Sequence, residues 1–490
     1  MSSNEIFPLV PAGWRSTTLG ELAKESGGSI QTGPFGSQLH AADYVDEGIP
    51  SIMPKNIRID GVDTSDIARV SPKDVERLAK HKVLAGDVVY SRRGDVEKCC
   101  LITSGEEGWL CGTGCLRVRI PSSVLSPVFL HAYLCHPAVR EWIVRHAIGA
   151  TMPNLNTSIL SALPILVPPI NEAESVADIW ALVSRKISLN TQTNQTLEQM
   201  VQALFKSWFV DFDPVFDNAL DSGFFEREFQ GEGIPEPLAK RVAIRQALRE
   251  AAGADTDASA IGRLPPETRA LFPDRFEKHP ELGWIPKGWE VKPVSEALDI
   301  NPKVKLSKGT TAKFADMKAA PTSGYMIDGV IEKEFSGGSK FMADDVLLAR
   351  ITPCLENGKT AIVDFLAQDE AGFGSTEFIV MRGKGAVSMP FVACLSRLPE
   401  FRAHCIQSMV GSSGRQRVQN ACFDSFYLTF PPTADVLEKF EQTCLPSFRQ
   451  MTVARLESEA LANLRDTLLP KLLSGELELA NTEIIVEAFA

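Results

Sequence analysis

Two stretches of this chain repeat one another at an almost constant offset, and that restricts its architecture more than any other feature. Asp87-Val88-Val89-Tyr90-Ser91-Arg92 aligns with Asp345-Val346-Leu347-Leu348-Ala349-Arg350 at an offset of 258. Gly112 to Val118 aligns with Gly374 to Val380 at 262, and Pro137, Arg140 and Gly149 meet Pro399, Arg402 and Gly411 at that same offset. Leu197, Met200, Leu204 and Trp208 then meet Leu461, Leu464, Leu468 and Leu472 at 264. The two copies open alike, on Pro11-Ala12-Gly13-Trp14 and Pro286-Lys287-Gly288-Trp289. A period of about 260 residues is far too long for a solenoid, so it signifies two copies of one unit. The chain reads block, helix, block, helix.

Residues 1–168 and 286–431 are the blocks. Short apolar runs (Val88 to Tyr90, Leu116 to Ile120, Leu163 to Val167) alternate with helical stretches near Pro72 to Lys80 and Pro127 to Ala147. The second block repeats the pattern with runs at Val346 to Arg350, Ala361 to Phe365 and Glu377 to Met381. Such mixing reads as α/β or α+β. Between the blocks, residues 216–285 read as a linker with one short helix over Glu236 to Ala252.

Residues 169–215 carry the first helix. Asn171 is expected as its N-cap, with Glu174 three residues on. A seam follows at Val176, Ile179, Val183, Ile187, Asn190, Asn194, Leu197, Val201, Leu204 and Trp208, in steps of three and four. Asn190 and Asn194 on that seam would fix register if buried and would do nothing if exposed. Residues 432–490 give the second seam: Phe440, Cys444, Ser447, Met451, Ala454, Ser458, Leu461, Leu464, Leu468 and Leu472, closing on Ser474-Gly475. Pro446 is expected to bend or restart this helix, because proline removes a backbone bond and clashes with the preceding turn. About 40 residues per helix at 1.5 Å each gives roughly 60 Å, too long for burial in one compact domain. The natural partner of each helix is the other.

The net charge of −12 argues against nucleic acid until it is located. Residues 12–168 hold 16 basic and 16 acidic side chains, and residues 286–431 hold 17 and 16. The acidity lies between and after the blocks, so it neither excludes DNA nor supplies a basic footprint. Met1 to Trp14 lacks a basic start before an apolar core, and no run approaches 18 apolar residues. A cytoplasmic protein without membrane association is expected.

Catalytic and metal motifs are absent. The ten cysteines form no paired C-x-x-C units, so no metal is expected. Gly358-Lys359-Thr360 resembles the end of a phosphate loop, but Pro353 stands where a glycine is needed. Pro273-Asp274 with Glu290-Val291-Lys292 only loosely mimics a metal-dependent nuclease triplet and straddles the linker and the second copy. No Gly-x-Ser-x-Gly, His-Glu-x-x-His or glycine-rich dinucleotide turn occurs. The chain reads as non-catalytic.

Several segments resemble the specificity (S) subunit of type I restriction-modification systems, over nearly the whole chain. Thr32-Gly33-Pro34-Phe35-Gly36-Ser37-Gln38-Leu39, Tyr44, Gly48-Ile49-Pro50 and Lys55-Asn56-Ile57 are similar to the opening of that family's target recognition domain. Thr196-Leu197-Glu198-Gln199 with Leu204 to Phe212 is similar to its central conserved region, and Leu464 to Leu477 to its distal one. Leu271-Phe272-Pro273-Asp274 before Gly283 to Trp289 is similar to the start of its second domain. The resemblance implies two target recognition domains, 1–168 and 286–431, separated by two long helices packed as an antiparallel coiled coil. Each domain would read one half of an asymmetric, split double-stranded DNA site. The helices would set the spacing and dock two methylation subunits, directing adenine methylation, and restriction subunits would join. This chain would bind no cofactor, S-adenosylmethionine, ATP and magnesium being used by the other subunits.

Basic and amide residues near glycine turns are the candidates for DNA contact: Gln31, Ser37, Lys55, Asn56, Arg92 and Arg93 in the first block, and Arg350, Lys359, Arg415 and Arg417 in the second. The candidates for the helix seam and subunit interface are Leu197, Val201, Leu204, Trp208, Leu461, Leu464, Leu468 and Leu472. Two other classes compete, a nuclease acting alone and a protein-binding scaffold that reads no DNA. The first predicts cleavage by the purified chain with metal only; the second predicts no sequence-selective protection of DNA.

Overall fold

The computed structural model describes residues 6–7, 10–59, 61–149, 153–231, 233–252, 263–412 and 414–474. The chain divides into two compact units, Met1–Asn190 with Glu457–Ala490, and Thr191–Leu456.

In the first unit, strand Arg15–Thr18 pairs antiparallel with Pro164–Val167. Thr18 then caps helix Leu19–Ser26 reciprocally with Glu21, and Gly27, at φ 75°, ends it. A four-stranded sheet follows in the order Ser29–Thr32, Cys115–Arg119, Val88–Ser91, Cys99–Leu101. Strand Val88–Ser91 is buried on both faces, which is why it reads as a continuous apolar run. Val88 and Tyr90 pack in one core with Phe129 and Tyr133 of helix Pro127–Cys135, while Val89 belongs to a second core with Ile52, Cys100 and Cys115. A second sheet runs Leu110–Cys111, Ile49–Ile52, Ala68–Val70, Tyr44–Val45.

The second unit repeats the terminal strand pair and the strand order of the main sheet. Glu290–Pro293 pairs with Tyr427–Phe430, and the main sheet runs Leu298–Ile300, Phe378–Gly383, Val346–Ala349, Thr360–Ile362. Val346 and Leu348 face one core, Leu347 the other. A buried ion pair is duplicated as well. Asp87 accepts from Arg119 Nε and Nη2 (2.7 and 2.6 Å) and from the Leu84 amide (2.8 Å). Asp345 accepts from Arg382 Nε and Nη2 (2.6 and 2.7 Å) and from the Met342 amide (2.8 Å). Each carboxylate ties the turn before the central strand to the far end of its neighbour, and bidentate geometry satisfies its charge.

The two long helices, Ile170–Phe209 and Asp435–Ser474, are 40 residues each. Because the first begins at Ile170, Asn171 lies inside its first turn and does not cap it. In the first unit the helices run antiparallel: Arg465 sits 5.0 Å from the Trp180 ring centroid, and Asn190 Nδ2 donates to Ser458 Oγ (3.2 Å) and Glu457 (2.8 Å). The second unit has the same sense, with Asn194 Nδ2 donating to the Met451 carbonyl (3.2 Å) and the rings of Trp208 and Phe440 5.7 Å apart. Both asparagines are thus spent on cross-helix bonds.

Pro446 does not interrupt its helix. It is exposed, whereas Phe440, Cys444, Phe448 and Met451 are buried in the core of their unit. That burial offsets the roughly 3 kcal/mol cost of an interior proline. Gly475 lies outside the described residues. The stretch 216–285 holds more than one helix: Asp213–Ser222, Phe224–Glu228, Pro266–Arg269 and the hairpin of Phe276–His279 with Gly283–Pro286 accompany Glu236–Ala252. Phe216, Phe225, Phe272 and Phe276 bury their rings in the second unit's core. Residues 253–262 lie outside the described residues. No described helix is long and apolar enough to cross a membrane.

Candidate nucleic-acid interface

In the first unit a glycine crossing shapes the loop after strand Ser29–Thr32. A Cβ on Gly33 would lie 2.0 Å from the Gly112 carbonyl oxygen, and one on Gly112 2.6 Å from that of Ile52, so no larger residue fits either place. The crossing leaves Ser37 exposed and Phe35 53% exposed. Arg92, which directly follows the central strand, places its guanidinium 5.7 Å from the Phe35 ring centroid. Its backbone is pinned on both sides, the amide donating to Gly114 (2.8 Å) and the carbonyl accepting from Leu155 (2.9 Å). Its Nε is buried without a hydrogen-bond partner among the described residues. Arg93 is exposed beside it.

The second unit holds Arg350 by the same scheme. Its amide donates to Glu377 (2.9 Å), its carbonyl accepts from Val418 (2.9 Å), and its Nε is likewise buried without a partner. Its Nη2 turns back to the Val418 carbonyl (3.2 Å). The glycine loops that follow are also equivalent: Asn154 bridges Arg93 and Ile148, and Arg417 bridges Ile351 and Val410.

The remaining candidates divide by what their side chains touch. Gln31 Oε1 accepts from Arg117 Nη2 (3.0 Å), and Asn56 is buried, bonded to the Met53 amide (3.1 Å) and the Asp63 carbonyl (2.9 Å). Lys55 pairs with Asp66 on the surface (2.5 Å). Lys359 Nζ donates to the Met317 carbonyl (2.8 Å). Arg417 grips Glu377 through Nε and Nη2 (2.9 and 2.6 Å), and this hydrogen bonding holds the Glu377 carboxyl below its ordinary pKa. Arg415 is exposed. The structure brings Arg92, Arg93 and the Ser37 loop together in one unit and Arg350 and Arg417 in the other.

Residue-by-residue reading missed a basic loop. Lys303, Lys305 and Lys308 are all exposed on the segment after strand Leu298–Ile300, the topological counterpart of the Gly33 to Gln38 loop. Asn301, at φ 54°, starts that segment by accepting the Val380 amide on Oδ1 (3.0 Å), and Lys340 Nζ holds the Leu306 carbonyl (2.8 Å). Three lysines within six residues were the available signal, hidden by a charge balance taken over the whole block.

Residues 11–199 match the type I restriction modification DNA specificity domain. The chain is thus similar to the specificity subunits of type I restriction-modification systems. The EcoEI specificity subunit of Escherichia coli is 27% identical over 252 residues, 49% of this chain and 40% of that protein. The HindI specificity subunit of Haemophilus influenzae is 24% identical over 440 residues, 83% of this chain and 89% of that one. The matched stretch thus spans about two fifths of the EcoEI relative and most of the HindI relative. A crystal structure of the S subunit from M. genitalium covers 94% of this chain and 96% of its own, at 13% identity and a TM-score of 0.48.

The seam residues of this chain fall into two separate cores. Leu197, Val201, Leu204 and Trp208 pack in the second unit's core, which also holds Phe440, Cys444 and Met451. In the first unit Leu464, Leu468 and Leu472 line one small cavity with Val176, Ile179, Trp180 and Val183, and Leu461 is buried. Sequence reading missed Phe205 and Phe209, whose rings meet Phe440 at 6.0 and 5.1 Å. Among the described residues, one cluster has the chemistry to ligate a metal: Cys99, His131 and Cys135, all buried.

Proposed function

We propose that this chain is a specificity subunit that reads an asymmetric, split DNA site, one half per target recognition domain, and that its helices set the gap and dock two methylation subunits. One observation carries the reading: the two units share a scaffold and differ in the loops mounted on it. Strand order, the buried Asp–Arg pair and the pinned arginine recur. The loop in the same topological position is Gly-Pro-Phe-Gly-Ser-Gln in one unit and lysine-rich in the other. Identical scaffolds with unlike loops suit two unlike half-sites. Exposed lysines supply sequence-independent phosphate contact, whereas an arginine whose backbone is fixed can present its fork to a base edge.

On this reading the chain itself is non-catalytic and acts in the cytoplasm. Adenine methylation and restriction belong to the partner subunits, which use S-adenosylmethionine, ATP and magnesium. The test is co-expression with a methylation subunit from the same locus in a methylation-free host, followed by mapping of modified adenines. A motif of two fixed halves with a constant gap supports the proposal. Copurification of the two proteins without any modified motif would defeat the DNA-reading part, and cleavage by the purified chain with metal alone would defeat the non-catalytic part.

A further inference from the structure

The sequence offers no paired C-x-x-C unit, yet the fold assembles three soft ligands in the first unit. His131 and Cys135 are four residues apart on helix Pro127–Cys135 and so share a face. Strand Cys99–Leu101 packs against that helix and brings Cys99 to the same point. Cys99 Sγ lies 3.7 Å from Cys135 Sγ, and His131 Nε2 lies 3.3 Å from Cys135 Sγ. A tetrahedral zinc ion with bonds of about 2.3 Å to sulfur and about 2.0 Å to nitrogen needs edges of about 3.8 Å (S to S) and 3.5 Å (S to N). Two of the three edges therefore stand near zinc spacing, and all three ligand atoms lie within 4.8 Å of one another.

The surroundings fit an ion as well. Beyond the Cys135 thiol, the His131 ring stands edge-on to Trp180, with centroids 6.4 Å apart. A cavity of about 230 Å³, lined by Ile57, Arg58, Glu97, Lys98 and Arg140, ends on Cys99 and Cys135. It brings open space against two of the three candidate ligand residues.

We propose that Cys99, His131 and Cys135 form a zinc site in the first unit, with the fourth position facing this cavity. Binding releases two thiol protons to solvent. The product, two thiolates and a neutral imidazole around a divalent ion, carries no net charge, as burial demands. A monovalent ion would leave one negative charge in the core, which favours zinc over copper(I).

The test uses the full-length chain, loaded with zinc and then washed by gel filtration in metal-free buffer, with metal content read by mass spectrometry. The expected result is about one zinc per chain, lost in Cys99→Ser and Cys135→Ser and kept in Cys354→Ser, whose thiol lies outside the cluster. Cobalt(II) loading of the wild-type chain is expected to give the thiolate charge-transfer and intense visible bands of a tetrahedral sulfur site, so the proposal stands or falls even if the cysteine variants do not fold. Zinc at well under half an equivalent in the wild type, zinc retained in both serine variants, or a cobalt spectrum without thiolate bands would each overturn it. None of these readouts depends on DNA recognition.

Discussion

Arg92 and Arg350 occupy one position in two copies, each with its backbone clamped by two hydrogen bonds and its Nε buried without a partner. A clamped arginine loses little further entropy when it grips a base, which is where a bidentate contact discriminates. Arg92→Ala is expected to cost about 1 to 3 kcal/mol at one position of one half-site, and Arg350→Ala the same at one position of the other half. Binding to a panel of singly substituted sites checks both; a uniform loss over all sequences would assign the arginine to phosphate instead. His136 supports a different prediction. Its Nδ1 accepts from the Ala138 amide (3.0 Å), its ring lies 4.9 Å from that of Phe7, and burial pushes its pKa down from 6.5 to about 4. The folded chain then binds fewer protons than the unfolded chain between those values. Stability is therefore full above pH 6.5 and falls as pH drops toward 4. His136→Asn keeps a capping side chain without the titration, so its urea midpoint should change less across that window than the wild-type midpoint. Equal slopes would assign the pH dependence elsewhere.

At the scale of elements, Pro446 shows how tertiary burial overrides local preference. Its ring stands on the exposed side of a helix whose opposite face buries Phe440, Cys444, Phe448 and Met451. Pro446→Ala restores a backbone donor and removes the clash with the preceding turn, and is expected to stabilise the second unit by about 1 to 3 kcal/mol. Urea unfolding measures it, with an unchanged m-value separating a native-state gain from a change in the unfolded chain. The helices were legible because a period of three and four over many turns has one reading. The central strands were legible because their four residues are buried on both faces, as at Val346 to Ala349. The hairpin Phe276–His279 with Gly283–Pro286 was not, since Phe276 is its single buried residue on the first strand and alternation over four residues is weak. The candidate interface was legible by residue type, not by direction. Nothing local shows that Asn56 turns inward to bond its own loop, or that Arg417 meets Glu377 forty residues away in the chain. The Asn56 bonds depend on how its own loop closes, and the Arg417 pair depends on the fold bringing distant residues together, so residue type alone does not give either direction.

For the whole molecule, the duplication says that one scaffold is used twice, and on the proposed reading the two helices set the gap in the DNA site. Both unit divisions fall within them, after Asn190 on one and before Glu457 on the other. The cross-helix bonds nearest that division are Asn190 to Ser458 in one unit and Asn194 to Met451 in the other. A change in length there has to keep both. Four added residues would turn the seam by about 40° and unwind the pair locally, whereas a heptad in each helix turns it by only about 20° and preserves the steps of three and four. Seven residues placed between Asn190 and Asn194, with seven placed between Ala454 and Glu457, lengthen each helix by about 10 Å, roughly three base-pair steps of 3.4 Å. The expected outcome is a methylated motif whose two halves are unchanged and whose gap is longer by about three base pairs. Insertion in one helix alone should abolish modification, because it breaks the register that the two asparagines hold. A doubly inserted variant that modifies DNA with the original gap would show that something other than the helix pair measures the distance.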